Sequence, residues 1–346
     1  MSKLAVQCSM WMMAVYHGFR MLAFIATMCW TYGVRSVFSW KPTPRPKQLD
    51  DPSLGTHGML TLDNVVIHYV VSGPEDKPLM LFVHGFPEFW YSWRHQIREF
   101  QKDFRVVAID MRGYGESSKP KGMDEYCLKK LLGDVKQVIF GMGYSKCILV
   151  GHDWGGAVCW AFGRLFPEMV EKLIIMNAPP APVMQKVFRK SKKQLQMSWY
   201  IFFFQLPYLP ELLVRLNSFV FFDNVFGNKY IGRLGFPKAF ENPLSQEDIA
   251  AYKYTFSDVE GVTAPINYYR ARLRSAVGQV DYDMAFAIPV LVVWGVKDVA
   301  LSLTIVEDIE KEFPNITVRR IEDAGHFVQM DRPDLVNKAI RDWLNE

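Results

Sequence analysis

Residues 151–156, with the sequence GHDWGG, combine three glycines with a single carboxylate. A mostly apolar run over residues 146–150 precedes them and predicts a buried strand, and a second apolar run over residues 157–162 predicts a helix. A sharp turn between a strand and a helix presents one side chain at its tip, and glycines are favoured there because Cβ atoms would clash with either element. The side chain at this tip is Asp153, which is therefore a candidate nucleophile.

The type of nucleophile restricts the chemistry. A serine that attacks saturated carbon forms an ether, which ends turnover, whereas a carboxylate forms an ester that water can cleave. Asp153 therefore predicts displacement at saturated carbon, and both epoxides and alkyl halides fit as substrates. The alternative is a turn aspartate in a protein without catalytic activity.

Apolar strands alternate with helical stretches along most of the chain, which is typical of an α/β protein with a mostly parallel sheet covered by helices on both faces. The strands are expected at residues 65–71, 79–83, 105–110, 146–150, 173–176, 290–295 and 317–321. Together with the turn at Asp153, this order resembles the α/β-hydrolase fold.

The alternation stops over residues 182–283, where the sequence is aromatic, punctuated by prolines and helical in pattern. We expect this segment to be a helical lid over the carboxyl ends of the strands, where ligands bind in open α/β sheets. The remaining core is expected over residues 54–181 and 284–346, and an anchor with a proline-rich stalk over residues 1–53.

The triad order in such hydrolases is nucleophile, acid, histidine. His326 is the only histidine after the turn at Asp153, so it is the candidate general base that activates water. Asp298 follows a predicted strand, where an orienting acid belongs. Asp281 and Asp283 are weaker alternatives, because no clear strand precedes them.

Ester hydrolysis creates an oxyanion that needs hydrogen-bond donors already in place. The backbone N–H of Trp154 and that of Phe86, in the loop after an earlier strand, are the expected donors. Opening an epoxide also needs a proton or hydrogen bond for the leaving oxygen. The predicted lid offers Tyr200 and Tyr269, although spacing alone does not distinguish them among fifteen tyrosines.

The N-terminal region has the composition of a membrane anchor. Residues 10–34 are mostly apolar and long enough to span a bilayer, despite His17 and Arg20 near the middle. An interfacial helix is the alternative. One basic residue precedes this stretch and four follow it at positions 35, 41, 45 and 47, so the positive-inside rule places the catalytic part in the cytoplasm.

Charge and cysteine content exclude other classes of protein. The net charge of +4 is too small to indicate a nucleic-acid partner. Five scattered cysteines form neither a disulfide framework nor a metal site, and they favour a reducing compartment. We expect no cofactor and no metal, and a single-pass protein of the endoplasmic reticulum. The sequence does not predict its oligomeric state.

Three segments together resemble the epoxide hydrolases of the α/β-hydrolase fold: HGFP at residues 84–87, the turn at residues 151–156, and NYYR at residues 267–270. The longer run HGFPEFWYSWR and the anchor resemble the membrane-anchored animal subgroup, epoxide hydrolases three and four. This resemblance implies that Asp153 is the nucleophile, and that His326 is the base with Asp298 as its acid. It also implies that Tyr200 and Tyr269 are the lid donors, and that Phe86 and Trp154 supply the oxyanion hole.

The resemblance also leaves alternatives. The aromatic run around Tyr200 allows a register shift, with Tyr208 as the other candidate for the second lid donor. Val296 stands where relatives often carry an acid.

The expected function is hydrolysis of apolar epoxides to vicinal diols, and the resemblance suggests epoxides of lipids or fatty acids. The alternatives are a haloalkane dehalogenase, disfavoured by Phe86 where an asparagine often stands, and a membrane-tethered binding protein without activity.

Overall fold

The computed structural model of the chain describes residues 3–41, 43–227, 239–258, 260–274 and 286–346. Its strands are β1 Thr56–Thr61, β2 Val66–Ser72, β3 Leu79–Val83, β4 Arg105–Ile109, β5 Cys147–His152, β6 Val170–Met176, β7 Val290–Gly295 and β8 Thr317–Ile321. Its helices are α1 Lys3–Tyr32, α2 Val34–Val37, α3 Arg94–Phe100, α4 Leu128–Gly141, α5 Asp153–Leu165, α6 Ala181–Lys190, α7 Lys192–Met197, α8 Trp199–Phe203, α9 Leu209–Val225, α10 Gln246–Phe256, α11 Thr263–Arg274, α12 Thr304–Glu312, α13 Val328–Asp331 and α14 Pro333–Leu344.

The strands form one sheet in the order β1-β2-β4-β3-β5-β6-β7-β8. Pairing is parallel from β4 to β8 and antiparallel only at β1–β2 and β2–β4. Strands β3, β5 and β7 are buried along their whole length, because helices cover both faces and the sequence supplies unbroken apolar runs. The mostly parallel α/β sheet expected from the sequence is confirmed.

The parallel strands end at one edge of the sheet, and the candidate residues follow those ends. The loop with Phe86 comes after β3, Asp153 after β5, Asp298 after β7 and His326 after β8. Topology therefore gathers side chains that lie up to 240 positions apart in sequence, from 86 to 326.

Helices α6 to α11 interrupt the sheet between β6 and β7. Aromatic rings hold this lid on the core: Phe226 lies 5.1 Å and Phe240 5.0 Å from Phe327, centroid to centroid. Such pairs add to the free energy of burial, typically about 0.5–1.5 kcal/mol each. The predicted lid limit at residue 283 lies outside the described residues, and the boundaries of the four predicted segments stay predictions.

Within α1, the stretch Gln7–Tyr32 is long and apolar enough to cross a membrane. At about 1.5 Å per residue its 26 residues exceed the roughly 30 Å of a hydrocarbon core. One face packs on the lid, and the other exposes large apolar side chains such as Phe19 and Trp30. The helix is therefore a candidate anchor.

Candidate active site

Asp153 lies at the tip of the turn between β5 and α5. Its φ of +48° is in the left-handed region, which costs a non-glycine residue energy and is common where a side chain is held for function. Neighbouring glycines make the turn possible. A Cβ on Gly85 would lie 2.6 Å from Oδ1 of Asp153, and one on Gly155 would overlap the carbonyl oxygen of Val83.

The two oxygens of the Asp153 carboxylate have different environments. Oδ1 accepts a hydrogen bond of 2.8 Å from the backbone N–H of Phe86. Oδ2 lies 3.6 Å from Nε2 of His326, which is too long for a hydrogen bond and close enough for strong electrostatic attraction. One oxygen is therefore held by the main chain while the other is free to react.

His326 is oriented by Asp298, as the order of residues along the chain predicts. Its Nδ1 lies 2.8 Å from Oδ2 of Asp298. Oδ1 of Asp298 accepts hydrogen bonds from the backbone N–H groups of Ala300 and Leu301. The structure thus brings Asp153, His326 and Asp298 together. The weaker alternatives at positions 281 and 283 lie outside the described residues.

Asn177 completes this arrangement and is absent from the sequence-based set. Its Nδ2 donates to Oδ2 of Asp298 at 2.6 Å, and its Oδ1 accepts from the backbone N–H of Gly295 at 2.9 Å. Its φ of +37° aims the amide at β7. An asparagine directly after a buried strand, at the reactive edge of the sheet, is the signal that could have identified it.

The carboxylates determine the protonation of His326. Burial alone would lower the pKa of its ring, but Asp298 and Asp153 outweigh burial and raise that pKa to about 10. Burial would likewise raise the pKa of Asp153, but His326 and the Phe86 N–H hold it below its usual range. The free site therefore contains an ionised Asp153 beside a protonated His326.

Tyr200 and Tyr269 belong to the lid and line the same cavity as Asp153. Their ring centroids lie 5.9 Å apart, and Tyr269 packs edge-to-face on Phe86 and Trp154. Burial, followed by the charge of Asp153, raises the pKa of both hydroxyls, so both stay protonated and able to donate. Tyr208 is 86% exposed at the start of α9, so the geometry favours Tyr200 over the register-shifted alternative.

The cavity beside Asp153 is apolar and small. Its walls include the rings of Phe86, Trp199, Phe204, Phe221 and Phe327, with Asp153, His326 and the two tyrosines as the polar groups. Its volume is about 90 Å³, whereas pockets for drug-sized ligands measure roughly 300–1,000 Å³. The site therefore favours apolar ligands, and a large one would need a wall to move.

Beneath the nucleophile lies a buried ion pair that sequence reasoning missed. His152 donates from Nδ1 to Glu88 at 2.6 Å and from Nε2 to the carbonyl of His326 at 2.9 Å. Both ring nitrogens of His152 are therefore engaged beneath the nucleophile. Burial would raise the pKa of Glu88, but His152 holds it below its usual range.

Glu88 also accepts from the backbone N–H of Gly85 at 2.8 Å and from Gln329 at 2.6 Å. The Glu88–His152 pair therefore connects the Phe86 loop, the Asp153 turn and the His326 loop. Its buried partners are far apart in sequence, and a glutamate after Pro87 carries no local signal.

Comparison with known proteins agrees with this geometry. A family model for the alpha/beta hydrolase fold matches residues 78–333. The chain is 41% identical to epoxide hydrolase 1 of Caenorhabditis elegans over 90% of this chain and 75% of that protein. It is 40% identical to human epoxide hydrolase 4 over 87% of this chain and 82% of that protein.

A solved structure extends the likeness to three dimensions. The epoxide hydrolase of Bacillus megaterium, crystallised with an inhibitor, superimposes with a TM-score of 0.74 and 34% identity, over 84% of this chain and 100% of that one. The chain therefore belongs to the alpha/beta hydrolase family, and within it to the enzymes that hydrolyse epoxides.

Proposed function

We propose that the enzyme converts apolar epoxides into vicinal diols in two chemical steps, through an ester on Asp153. The observation that carries this proposal is the asymmetry of the Asp153 carboxylate. Oδ1 is held by the Phe86 N–H at 2.8 Å, while Oδ2 lies 3.6 Å from Nε2 of His326, and Asp153 shares its cavity with two protonated tyrosines.

In the first step, Oδ2 attacks one epoxide carbon and the C–O bond of the ring breaks. The leaving oxygen takes a hydrogen bond and then a proton from Tyr200 or Tyr269, and solvent returns that proton to the phenol. Oδ1 stays on the Phe86 N–H as the carbonyl oxygen of the new ester. No base is needed, because Asp153 is already ionised.

In the second step, His326 takes a proton from a water molecule that attacks the ester carbon. Negative charge develops on Oδ1, where the Phe86 N–H already donates, and the Trp154 N–H is the proposed second donor. Collapse of this intermediate releases the diol with the former Oδ2, which takes its proton from His326. The water oxygen remains on Asp153, and the proton of the new carboxyl passes to His326, which restores the ionised Asp153 beside a protonated His326. Asp298 holds the imidazole in the tautomer that accepts at Nε2.

We expect the two steps to differ in their response to pH. Ester formation removes the charge of Asp153, and with it part of the attraction that raises the pKa of His326 in the free enzyme. His326 then loses its proton at a lower pH, so ester hydrolysis should accelerate as pH rises through the neutral range. Ester formation should stay constant there, because the lowered pKa of Asp153 keeps the carboxylate ionised.

Single-turnover kinetics over a series of pH values would separate these rates. Two rates that titrate with the same midpoint would contradict the coupling between Asp153 and His326.

A haloalkane dehalogenase could use the same aspartate, and a binding protein could keep the fold. Halide release needs no proton donor, so two protonated tyrosines in the walls of the cavity that contains the nucleophile favour the epoxide. Incubation with styrene oxide and with a chloroalkane, followed by product analysis, tests this. Diol from the epoxide alone is expected, and halide release or no product at all would overturn the assignment.

The apolar walls of the cavity support lipid or fatty-acid epoxides as the substrate class. Aromatic and aliphatic walls gain free energy from each buried methylene, about 0.8 kcal/mol. Assay of a series of epoxides with increasing chain length tests this class. A kcat/KM that does not increase with chain length would contradict it.

We infer that α1 anchors the enzyme in the membrane of the endoplasmic reticulum, with its exposed apolar face toward lipid, its buried face against the lid and the catalytic part in the cytoplasm. The positive charges at Arg35, Lys41, Arg45 and Lys47 support this orientation, since they follow the apolar stretch while only Lys3 precedes it. Five free cysteines, three of them buried, agree with a reducing compartment.

The sequon at Asn315 provides a test of this orientation. Asn315 is exposed, so a lumenal domain would present it for glycosylation. We expect no change in gel mobility on glycosidase treatment, and digestion of the domain by protease added to sealed microsomes. Glycan on Asn315, absent from an Asn315→Gln control, would place the domain in the lumen.

A further inference from the structure

We propose that the N-terminal segment is part of the lid and limits the size of the substrate cavity through Trp199. This inference rests on the proposed hydrolysis of epoxides. It assigns to α1 a role in substrate selection that is separate from membrane attachment.

Trp199 separates α1 from the cavity. Its indole lines the cavity beside Asp153, and its ring also lies 5.5 Å from the ring of His17 on α1. Only 9% of Trp199 is exposed. A wall of the substrate site is therefore supported from behind by the N-terminal helix.

The contact between α1 and the lid is extended and close. Buried side chains recur along one face of α1 at helical spacing, namely Met10, Ala14, Met21, Ile25 and Met28. Gly18 lies on the same face, and a Cβ there would stand 2.7 Å from Cδ1 of Leu206. A tether that served only to reach the membrane would not need this packing.

A second contact joins the N-terminal segment to the lid at a strained turn. Asn217, Ser218 and Phe219 all have positive φ, between +44° and +63°, which costs each of them energy. The N–H of Ser218 donates to the carbonyl of Ser39, and the N–H of Lys41 donates to Oγ of Ser218, each at 3.1 Å. This strained turn is therefore held by the chain that follows the anchor.

The turn leads directly into the cavity wall. Phe221 lines the cavity two residues after Phe219, and α8 carries both Trp199 and Tyr200. The next residue after Tyr269, Arg270, donates to the carbonyls of Phe204 and Leu206 at 2.9 and 2.6 Å. A displacement of α8 therefore affects the wall and both tyrosine donors.

The small volume of the cavity connects the contact between α1 and Trp199 to the size of the substrate. About 90 Å³ is available while α1 lies against Trp199, so a long epoxide must displace part of this wall, which limits how far chain length raises kcat/KM in the wild-type enzyme. If α1 moves away, the indole loses its support and the cavity widens. Substrate size selection should then respond to substitutions on α1 that never contact the substrate.

Gly18→Leu in the full-length protein, assayed in detergent or nanodiscs, tests this. Leucine keeps the anchor apolar but collides with Leu206, so it disturbs docking and does not weaken membrane attachment. The readout is the ratio of kcat/KM for a long-chain fatty-acid epoxide to that for styrene oxide. We expect the ratio to rise about tenfold, the scale set by gain or loss of fit in an apolar pocket.

Matched variants separate the effect of the contact between α1 and the lid from other effects of the substitution. Phe19→Leu alters the adjacent exposed position and should leave the ratio unchanged, whereas Trp199→Ala should raise it directly. Leu206→Ala added to Gly18→Leu makes room for the new side chain and should restore the wild-type ratio. His17→Ala removes the ring behind Trp199 without crowding, and should raise the ratio even if Gly18→Leu fails to fold.

The experiment distinguishes failure of the proposed function from failure of this inference. Wild-type enzyme that forms no diol from any epoxide would overturn the proposed function, and this inference with it. Diol formation with an unchanged ratio in folded Gly18→Leu and His17→Ala would overturn the inference alone.

Discussion

The His326→Gln variant is expected to consume about one equivalent of epoxide per enzyme and then stop. Attack by Asp153 needs the ionised carboxylate and the tyrosine donors, whereas release needs a base, and glutamine cannot accept the proton from water. Steady-state kcat should fall by at least about 10³-fold. Intact-protein mass spectrometry should find the mass of the substrate added to the protein.

Three control variants should not accumulate the added mass. Asp153→Ala should never gain the added mass, because it lacks the attacking oxygen, and Asp153→Asn should start inactive because an amide is a poor nucleophile. His95→Gln makes the same exchange on α3, outside the cavity walls, and should turn over normally. An unchanged mass of His326→Gln, with substrate shown to bind, would mean that water attacks the epoxide directly.

Replacing both lid tyrosines is expected to nearly abolish ester formation. Each hydroxyl would stabilise the negative charge that develops on the epoxide oxygen, and donors of this type contribute about 10²–10³-fold to rate. Either Tyr200→Phe or Tyr269→Phe leaves the other donor, so each single variant should slow the step less. Stopped-flow measurement of ester formation in single turnover gives these rates.

Tyr208→Phe is the matched control, because it makes the same substitution on the lid at a residue that is 86% exposed. It should form the ester at the wild-type rate. A double variant of Tyr200 and Tyr269 that also reaches that rate would exclude both residues from the reaction.

The buried parallel strands could be predicted because each is a short unbroken apolar run. β3, β7 and β8 begin and end where the sequence predicts them. The strand that prediction missed is β1, Thr56–Thr61, which lies at the edge of the sheet and is only partly buried. Its sequence THGMLT has neither a β-branched run nor regular alternation, so pairing with β2 decides its conformation.

The reactive core was predictable because topology fixes it. Asp153, Asp298 and His326 each follow a strand, and the carboxyl ends of parallel strands meet at one edge. The tyrosines are different, because their position depends on how lid helices pack on the core. Residues that only position others, such as Asn177 and Glu88, were missed because their partners come from distant loops.

The contacts of the N-terminal helix could not be predicted from the sequence either. Its composition indicates membrane affinity, but the contacts of His17 with Trp199 and of Gly18 with Leu206 depend on the folded lid. Hydropathy does not distinguish the face of a helix that packs on protein from the face that meets lipid.

A single turnover of the wild-type enzyme in water labelled with heavy oxygen tests the covalent mechanism most directly. Excess enzyme converts each epoxide molecule in a single turnover. The masses of the diol and of the peptide that contains Asp153 are then measured by mass spectrometry. If Asp153 attacks, the diol carries an unlabelled oxygen from Oδ2 and Asp153 gains one labelled oxygen. A labelled diol with an unlabelled Asp153 would contradict the mechanism.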